Sequence, residues 1–280
     1  MKPKKIPTGI ESFDPILGGG LPSGSTVLLL GDTGAGDYEF ALTSCARTLM
    51  YPRSSDNNII IPEKVIYISI TRSKEDVMKE VALSFPHLYE VLMDSARQNR
   101  FEFKDFSEAY FAGSFIPASW TSLSKEALSF DSLKWTDEKN NLVGALIEYL
   151  DKNAAGSIVL LDSLTALAQY CLSSIEWKDL IVFLRGLQRV SKKWDGIVYA
   201  ILSQGIFDKG KQEECVECMD GVMVFDWEEP GSSQRKRVMY LKKFRGLLPV
   251  LDQEDIVNFE IQIDTVKGFE ISNIKRVRGR

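Results

Sequence analysis

Histidine is almost missing from this chain: His87 is the single one in 280 residues. A multi-histidine zinc site is thereby excluded, and a Ser-His or Cys-His nucleophile would have to run through His87 alone. That residue stands in Phe85-Pro86-His87-Leu88-Tyr89, which reads as a helix end or turn rather than a catalytic setting. Cysteine is scarce as well. Cys45, Cys171, Cys215 and Cys218 are too few for a disulfide framework in a chain of this length, in keeping with a reducing compartment. Cys215-Val216-Glu217-Cys218 is a lone C-x-x-C without a second pair or a thioredoxin-like context, so no metal or redox site is expected there; Cys45 and Cys171 lie in apolar stretches and read as core. No apolar run approaches the ~20 residues of a membrane helix, and the basic start is followed by Ile6-Pro7-Thr8-Gly9 rather than a greasy signal core. The expectation is a cytoplasmic protein with no membrane partner.

What is present is ordinary for a globular chain: 44% hydrophobic, 26% charged and 10% aromatic residues, enough for one or two domains. The formal charge of −5 conceals an asymmetry. Lys2, Lys4 and Lys5 at one end and Lys275, Arg276, Arg278 and Arg280 at the other are seven cations without an anion among them, which leaves −12 on residues 6 to 274. So acidic a body is a poor general surface for nucleic acid, although the basic tails 1–5 and 275–280, expected to be flexible, could still touch phosphates.

Strand-like and helix-like segments alternate. Thr26 to Leu30, Val65 to Ile70, Ile158 to Leu161 and Val198 to Leu202 are short apolar runs of the kind buried on both faces of a parallel sheet. Apolar positions recur at helical spacing over Leu42 to Met50, Leu142 to Leu150 and Trp177 to Leu187. After Asp220-Gly221 the texture changes to strands with shorter connections, Val222 to Trp227, Arg237 to Phe244 and the alternating Val257 to Ile263, which predicts an antiparallel edge. Residues 101–135 hold nine aromatics, more than twice the chain average, and read as an elaborated loop that packs rings on the sheet; a stacking surface for bases is the competing possibility. No repeat or low-complexity linker divides the chain, so residues 1–280 are expected to form a single α/β domain with a mostly parallel central sheet flanked by helices.

Gly31-Asp32-Thr33-Gly34-Ala35-Gly36-Asp37-Tyr38 follows a buried strand and opens a helix. This is where G-x-x-x-x-G-K-[ST] wraps backbone N–H groups around nucleotide phosphates, and both outer glycines, Gly31 and Gly36, are correctly spaced. With this loop, Thr8 to Asp14, Leu17 to Gly24, Leu160-Leu161-Asp162-Ser163-Leu164 and Lys243-Phe244-Arg245-Gly246, the chain resembles the KaiC-like branch of the RecA superfamily of P-loop ATPases, from Thr8 to about Ile271. The resemblance implies a RecA-like fold, ATP and Mg²⁺ as ligands, hydrolysis at subunit boundaries, and assembly into rings or filaments with itself or with active paralogues.

The departures from that pattern carry the functional expectation. In an active loop the lysine neutralises the β/γ-phosphates and the next hydroxyl ligates Mg²⁺, whereas this chain has Asp37 and Tyr38. A carboxylate ~4 Å from a phosphate oxygen is repelled by roughly 4 kcal/mol at an effective dielectric near 20, and hard Mg²⁺ is poorly served by a bulky phenol. The two acidic residues with which relatives end the second strand, one of them thought to polarise the attacking water, are here Thr71 and Arg72. Lys has become Asp and Glu has become Arg, so an ion pair between Asp37 and Arg72 across the phosphate site is expected. By the same resemblance Asp162 matches the acid that holds Mg²⁺ water and Gln204 a nucleotide-state sensor, although the first could bond loop amides and the second could cap a strand. Lys243 and Arg245 match the pair that relatives insert into a neighbour's site. The expected function is therefore a catalytically inactive pseudo-ATPase, regulatory or scaffolding within an oligomer, with no cofactor of its own; the alternatives are an ATPase with a rearranged site and a RadA-like DNA-recombination accessory.

Overall fold

The structure is a computed structural model and describes residues 4–52, 58–112, 114–121, 142–229, 235–244, 246–249 and 256–276. Strand β1 (Lys5–Ile6) pairs antiparallel with β2 (Leu21–Pro22) as a small ribbon. The main sheet begins with β3 (Ser25–Gly31), whose seven residues are all buried because both of its faces are covered. Helix α1 (Asp37–Met50) leaves the phosphate loop and buries Phe40, Leu42, Cys45 and Leu49 against the sheet. Then come β4 (Lys64–Ser69), α2 (Lys74–Ser84), α3 (Pro86–Arg97), β5 (Phe101–Asp105), and two short helices, α4 (Ser107–Phe111) and α5 (Ala118–Thr121). Helix α6 (Leu142–Asn153) leads into β6 (Ser157–Asp162), and α7 (Leu164–Ser174) and α8 (Trp177–Trp194) lead into β7 (Ile197–Ser203). The chain closes with α9 (Lys209–Glu217) and the strands β8 (Gly221–Glu228), β9 (Lys236–Phe244), β10 (Ile256–Asp264) and β11 (Gly268–Arg276).

Among the described residues the sheet has nine strands in the order β11-β10-β9-β8-β3-β7-β6-β4-β5. From β8 to β5 all neighbours run parallel; from β8 to β11 all run antiparallel, so β8 is the strand at which the sheet changes character. The expected α/β fold with an antiparallel C-terminal edge is what forms. One core lies between α1, α2, α3 and the sheet, another between α6, α7, α8, α9 and the opposite face. The parallel register brings the carboxyl ends of β3, β4, β6 and β7 to one edge, the usual place for a site in an open α/β sheet.

Three local expectations need correction. Lys5 is not part of a loose tail: it sits in β1, and its ammonium donates to the carbonyls of Leu17 and Gly18. Lys275 and Arg276 likewise belong to β11, where Lys275 is paired with Glu228 and Glu260. Lys5 is held by the turn that precedes β2, and Lys275 by acids on β8 and β10, partners that local composition does not disclose. The aromatic stretch is also divided. Its start is β5, an integral parallel strand on which Phe103 stacks against Tyr67 at 4.9 Å, and Phe106 packs edge-on against Tyr149, as ring packing on the sheet requires. Phe115 and Trp120 are exposed instead, and residues 122–135 lie outside the described residues. Cys45, Cys171, Cys215 and Cys218 are all free and buried.

Candidate functional site

The loop between β3 and α1 adopts the turn its glycines permit. Gly34 has φ +73° and Gly36, the N-cap of α1, has φ +112°, values an L side chain rarely takes. The Asp32 N–H is tied to the Phe225 carbonyl at 3.0 Å, the Thr33 N–H to the Asp32 carboxylate at 2.7 Å, and the Ala35 N–H to the Asp32 carbonyl at 3.0 Å. From outside, Trp227 at the end of β8 donates its indole N–H to the Thr33 carbonyl at 3.1 Å, and Arg237 on β9 donates to the Gly34 carbonyl at 2.8 Å. Arg237 and Arg235 both lie over the Trp227 ring, at 4.5 and 4.9 Å from its centroid. The antiparallel edge therefore clasps the tip of the loop, a role that the sequence pattern did not reveal.

Asp37 and Tyr38 turn inward. The Asp37 side chain folds back over Gly31, so that a methyl group at Gly31 would overlap its carboxyl. Burial, with a contribution from Glu39 and Asp162, pushes the Asp37 carboxyl up to about 6, against the pull of the backbone N–H groups of Asp37 and Tyr38. Tyr38 buries its phenol beside Tyr67 and Asp162; its hydroxyl oxygen is buried and makes no hydrogen bond of acceptable geometry. Burial raises its phenol above the ordinary range.

Asp162 ends β6. Register sets Ser69 opposite Asp162 and Tyr67 opposite Leu160, so Tyr67 stands diagonally across from Asp162 on the face that α1 covers. The Tyr67 hydroxyl donates to the Asp162 carboxylate. Burial raises the pKa of Asp162, while Tyr67 and Arg72 lower it. The partner is thus a phenol brought across two strands rather than a loop amide. The Asp162–Ser163 peptide is cis.

At the exit of β4, the Ser69 hydroxyl bonds both the N–H and the carbonyl of Arg72, and Thr71 lies in the same bend. The expected Asp37–Arg72 ion pair does not form. Asp37 is withdrawn toward Gly31, and the Arg72 guanidinium pairs with Glu80, which α2 presents seven residues beyond its Ser73 N-cap. Gln204 bonds the Phe225 carbonyl through its side chain at 3.2 Å and the Gly31 carbonyl through its N–H at 2.8 Å, so it caps the ends of β3, β7 and β8. The Lys243 ammonium is held within its own chain by the Val216 and Glu217 carbonyls at the C-terminus of α9, at 3.0 and 3.1 Å. Arg245 lies outside the described residues. No group of histidine, cysteine and acidic residues among the described residues is arranged to hold a metal ion. No helix of the described residues is long and apolar enough to cross a membrane.

A parallel sheet with a glycine loop running into α1, and an acid at the end of a neighbouring strand, defines the phosphate-loop class of α/β folds. Within it, the family described as "ATPase: KaiC" matches residues 6–274, and the chain belongs to that family. The circadian clock oscillator proteins KaiC of Thermostichus vulcanus and Thermosynechococcus vestitus are each 39% identical over 95 residues, 34% of this chain but 16% of theirs. KaiC of Prochlorococcus marinus is 52% identical over 42 residues, 15% of this chain and 8% of its own. The matched stretches thus span less than a fifth of the clock proteins' length. The fold recurs in a KaiC-like protein of Pyrococcus horikoshii, with TM-score 0.60 and 19% identity over 97% of this chain and 100% of that one. It recurs also in the flagellar accessory protein FlaH of Methanocaldococcus jannaschii, with TM-score 0.65 and 12% identity over 94% and 96% of the two chains.

The residues present do not fit the Mg-nucleotide that the family implies. An acid stands in the place of the phosphate lysine, a buried phenol in the place of the small metal-binding hydroxyl, and Asp162 is engaged by Tyr67. Sequence reasoning missed Tyr67, Glu80, Trp227 and Arg237. Ser73 followed by Asp76 is a helix-start signal that would have placed Glu80 on a helix; the other three depend on strand register.

Proposed function

We propose that this chain is a non-hydrolysing member of the KaiC ATPase family, its nucleotide site closed by its own side chains, and that it serves as a regulatory or scaffolding subunit in an oligomer of itself or of active relatives. The observation that carries this reading is the Tyr38–Tyr67–Asp162 cluster. The acid that in relatives would order metal-bound water accepts a hydrogen bond from Tyr67, and the Tyr38 ring fills the space beside it. A compact octahedral water shell has no room there, and the phosphate end holds Asp37 where a cation is needed. Arg72 does not repair the charge, being drawn onto Glu80, and neither Thr71 nor Arg72 is a general base.

Calorimetry with Mg-ATP and with a non-hydrolysable analogue is expected to show no binding heat, and phosphate release to stay at background. Micromolar binding of either nucleotide would overturn the reading. The double variant Asp37→Lys with Tyr38→Thr should recover nucleotide binding but little turnover, because no base has been returned to positions 71 and 72. Robust hydrolysis by that variant would show that the water-activating group lies elsewhere. Light scattering on the same samples tests the oligomer.

A further inference from the structure

We infer that the outer face of α8 is the contact surface for a second copy of this chain, in a two-fold pair whose α8 helices cross antiparallel at Gly186. The inference deepens the self-association in the proposed function and rests on that reading only in taking a second copy as the partner.

On the sheet face away from α1, helices α6 and α8 leave between them an apolar groove of about 580 Å³. Val143, Phe183, Leu187 and Trp194 are buried at its floor, while Ile147 on α6 is 49% exposed and Val182 on α8 is 67% exposed along its borders. Its charged lining is acidic, Asp151 and Asp179, with no cation among the described residues. Gly186 stands at the middle of α8, exposed, and no described atom lies within 4 Å of where its Cβ would be. Glycine weakens a helix interior, and here nothing in the same chain packs into the space it leaves. A second helix can come closest at that point, because the side chains at a contact set the distance between packed helices.

The sequence on either side of Gly186 is self-complementary. In an antiparallel pair crossing there, a residue before the glycine faces the residue equally far after it in the other copy. Val182 then meets Val190, each four positions from the crossing, and Asp179 meets Lys193, each seven positions away. Winding at ~100° per residue places all five positions within an arc of ~80°, so they form one continuous stripe. Both charges are available for the contact. Among the described residues Lys193 is exposed and joins no ion pair, and Asp179 joins none either: it accepts from the Glu176 N–H at 3.3 Å, while Lys178 pairs with Glu176. A parallel pair would set acid against acid and lysine against lysine. The antiparallel crossing joins opposite charges over matched valines, and a two-fold axis through Gly186 makes each contact twice.

Sedimentation velocity over a concentration series tests the contact. The parent should self-associate, and Gly186→Gln, a substitution that suits a solvated helix, should weaken association roughly tenfold or more. Lys193→Glu should weaken it too, and adding Asp179→Lys to that variant should restore it by exchanging the two signs. A parent that stays monomeric to about 100 µM would overturn the inference. So would an assembly indifferent to Gly186→Gln, or a Lys193→Glu loss that the second exchange does not rescue. Because Asp179 also caps α8, oxidative cross-linking checks the register independently, the native cysteines being buried. Gly186→Cys should link to its own copy and Lys178→Cys should not; equal yields would overturn the crossing. The two ideas fail separately. Nucleotide binding by the parent removes the inactive site and leaves the α8 contact, whereas an assembly that ignores Gly186→Gln removes the contact and leaves the inactive oligomer standing.

Discussion

Two carboxylates stand at opposite ends of β3 and lead different lives. At its base, Asp220 is 4% exposed and accepts from the Thr26 N–H at 3.0 Å, the Thr26 hydroxyl at 3.1 Å, the Gln188 amide at 3.2 Å and the Lys192 ammonium. At its top, Asp37 has only backbone N–H groups on its side, faces Glu39 and Asp162, and is pushed up to about 6. A buried charge with a cation and several donors knits the sheet to α8; a buried charge without a cation is held by chain geometry against its own solvation preference.

The comparison can be broken at either end. The largest effect is expected at the base: Asp220→Ala should cost about 3 kcal/mol in denaturant unfolding, since it leaves the buried Thr26 N–H and hydroxyl without their acceptor, while Lys192, half exposed and still bonded to the Gly24 carbonyl, turns to water. A loss under about 1 kcal/mol would mean that the two acids are not different in kind. At the top the sign reverses. A carboxyl raised from its ordinary 3.8 to about 6 on folding carries a penalty that is absent below pH ~4 and complete above pH ~6. Asp37→Asn should therefore stabilise the protein above pH 6, by no more than about 3 kcal/mol, and the advantage should fade as the pH is lowered toward 4. A parallel pair of stability–pH curves would refute this. Asp162 lies between the extremes, buried with one phenol donor in contact. Tyr67→Phe should cost ~1.5 kcal/mol at neutral pH by removing that donor, and less in acid, where Asp162 is protonated and needs it less; a pH-independent loss would assign the cost to packing alone.

Much of the fold was legible because it is written in local pattern. The apolar runs of β3, β4, β6 and β7 and the helical stripes of α1, α6 and α8 lie where their periodicities put them, since burial on both faces or on one face demands those spacings. The change of texture after Asp220-Gly221 marked the antiparallel edge, although β8 itself pairs parallel on one side. Residues 74–97 were harder. Helices α2 and α3 abut at Phe85, and neither carries a long apolar stripe, burying only Val77, Met78 and Val81 in the one and Leu88, Leu92 and Ser95 in the other. The site divided in the same way. The glycine spacing and the two substituted residues were visible, but the Asp37–Arg72 pair was inferred from charge signs alone, and the guanidinium went instead to Glu80.

By itself, then, the sequence determined which groups stand at the loop and which are missing from it: two glycines in place, no lysine, no small hydroxyl, no acid at 71 or 72. Only the tertiary structure decided where those groups turn. Tyr67 meets Asp162 through the register of two parallel strands, Trp227 reaches Thr33 from β8, the strand beside β3, and Asp37 lies over Gly31. Such contacts join residues distant along the chain, and competition for buried space and for hydrogen-bond partners sets them, where local propensity has no say.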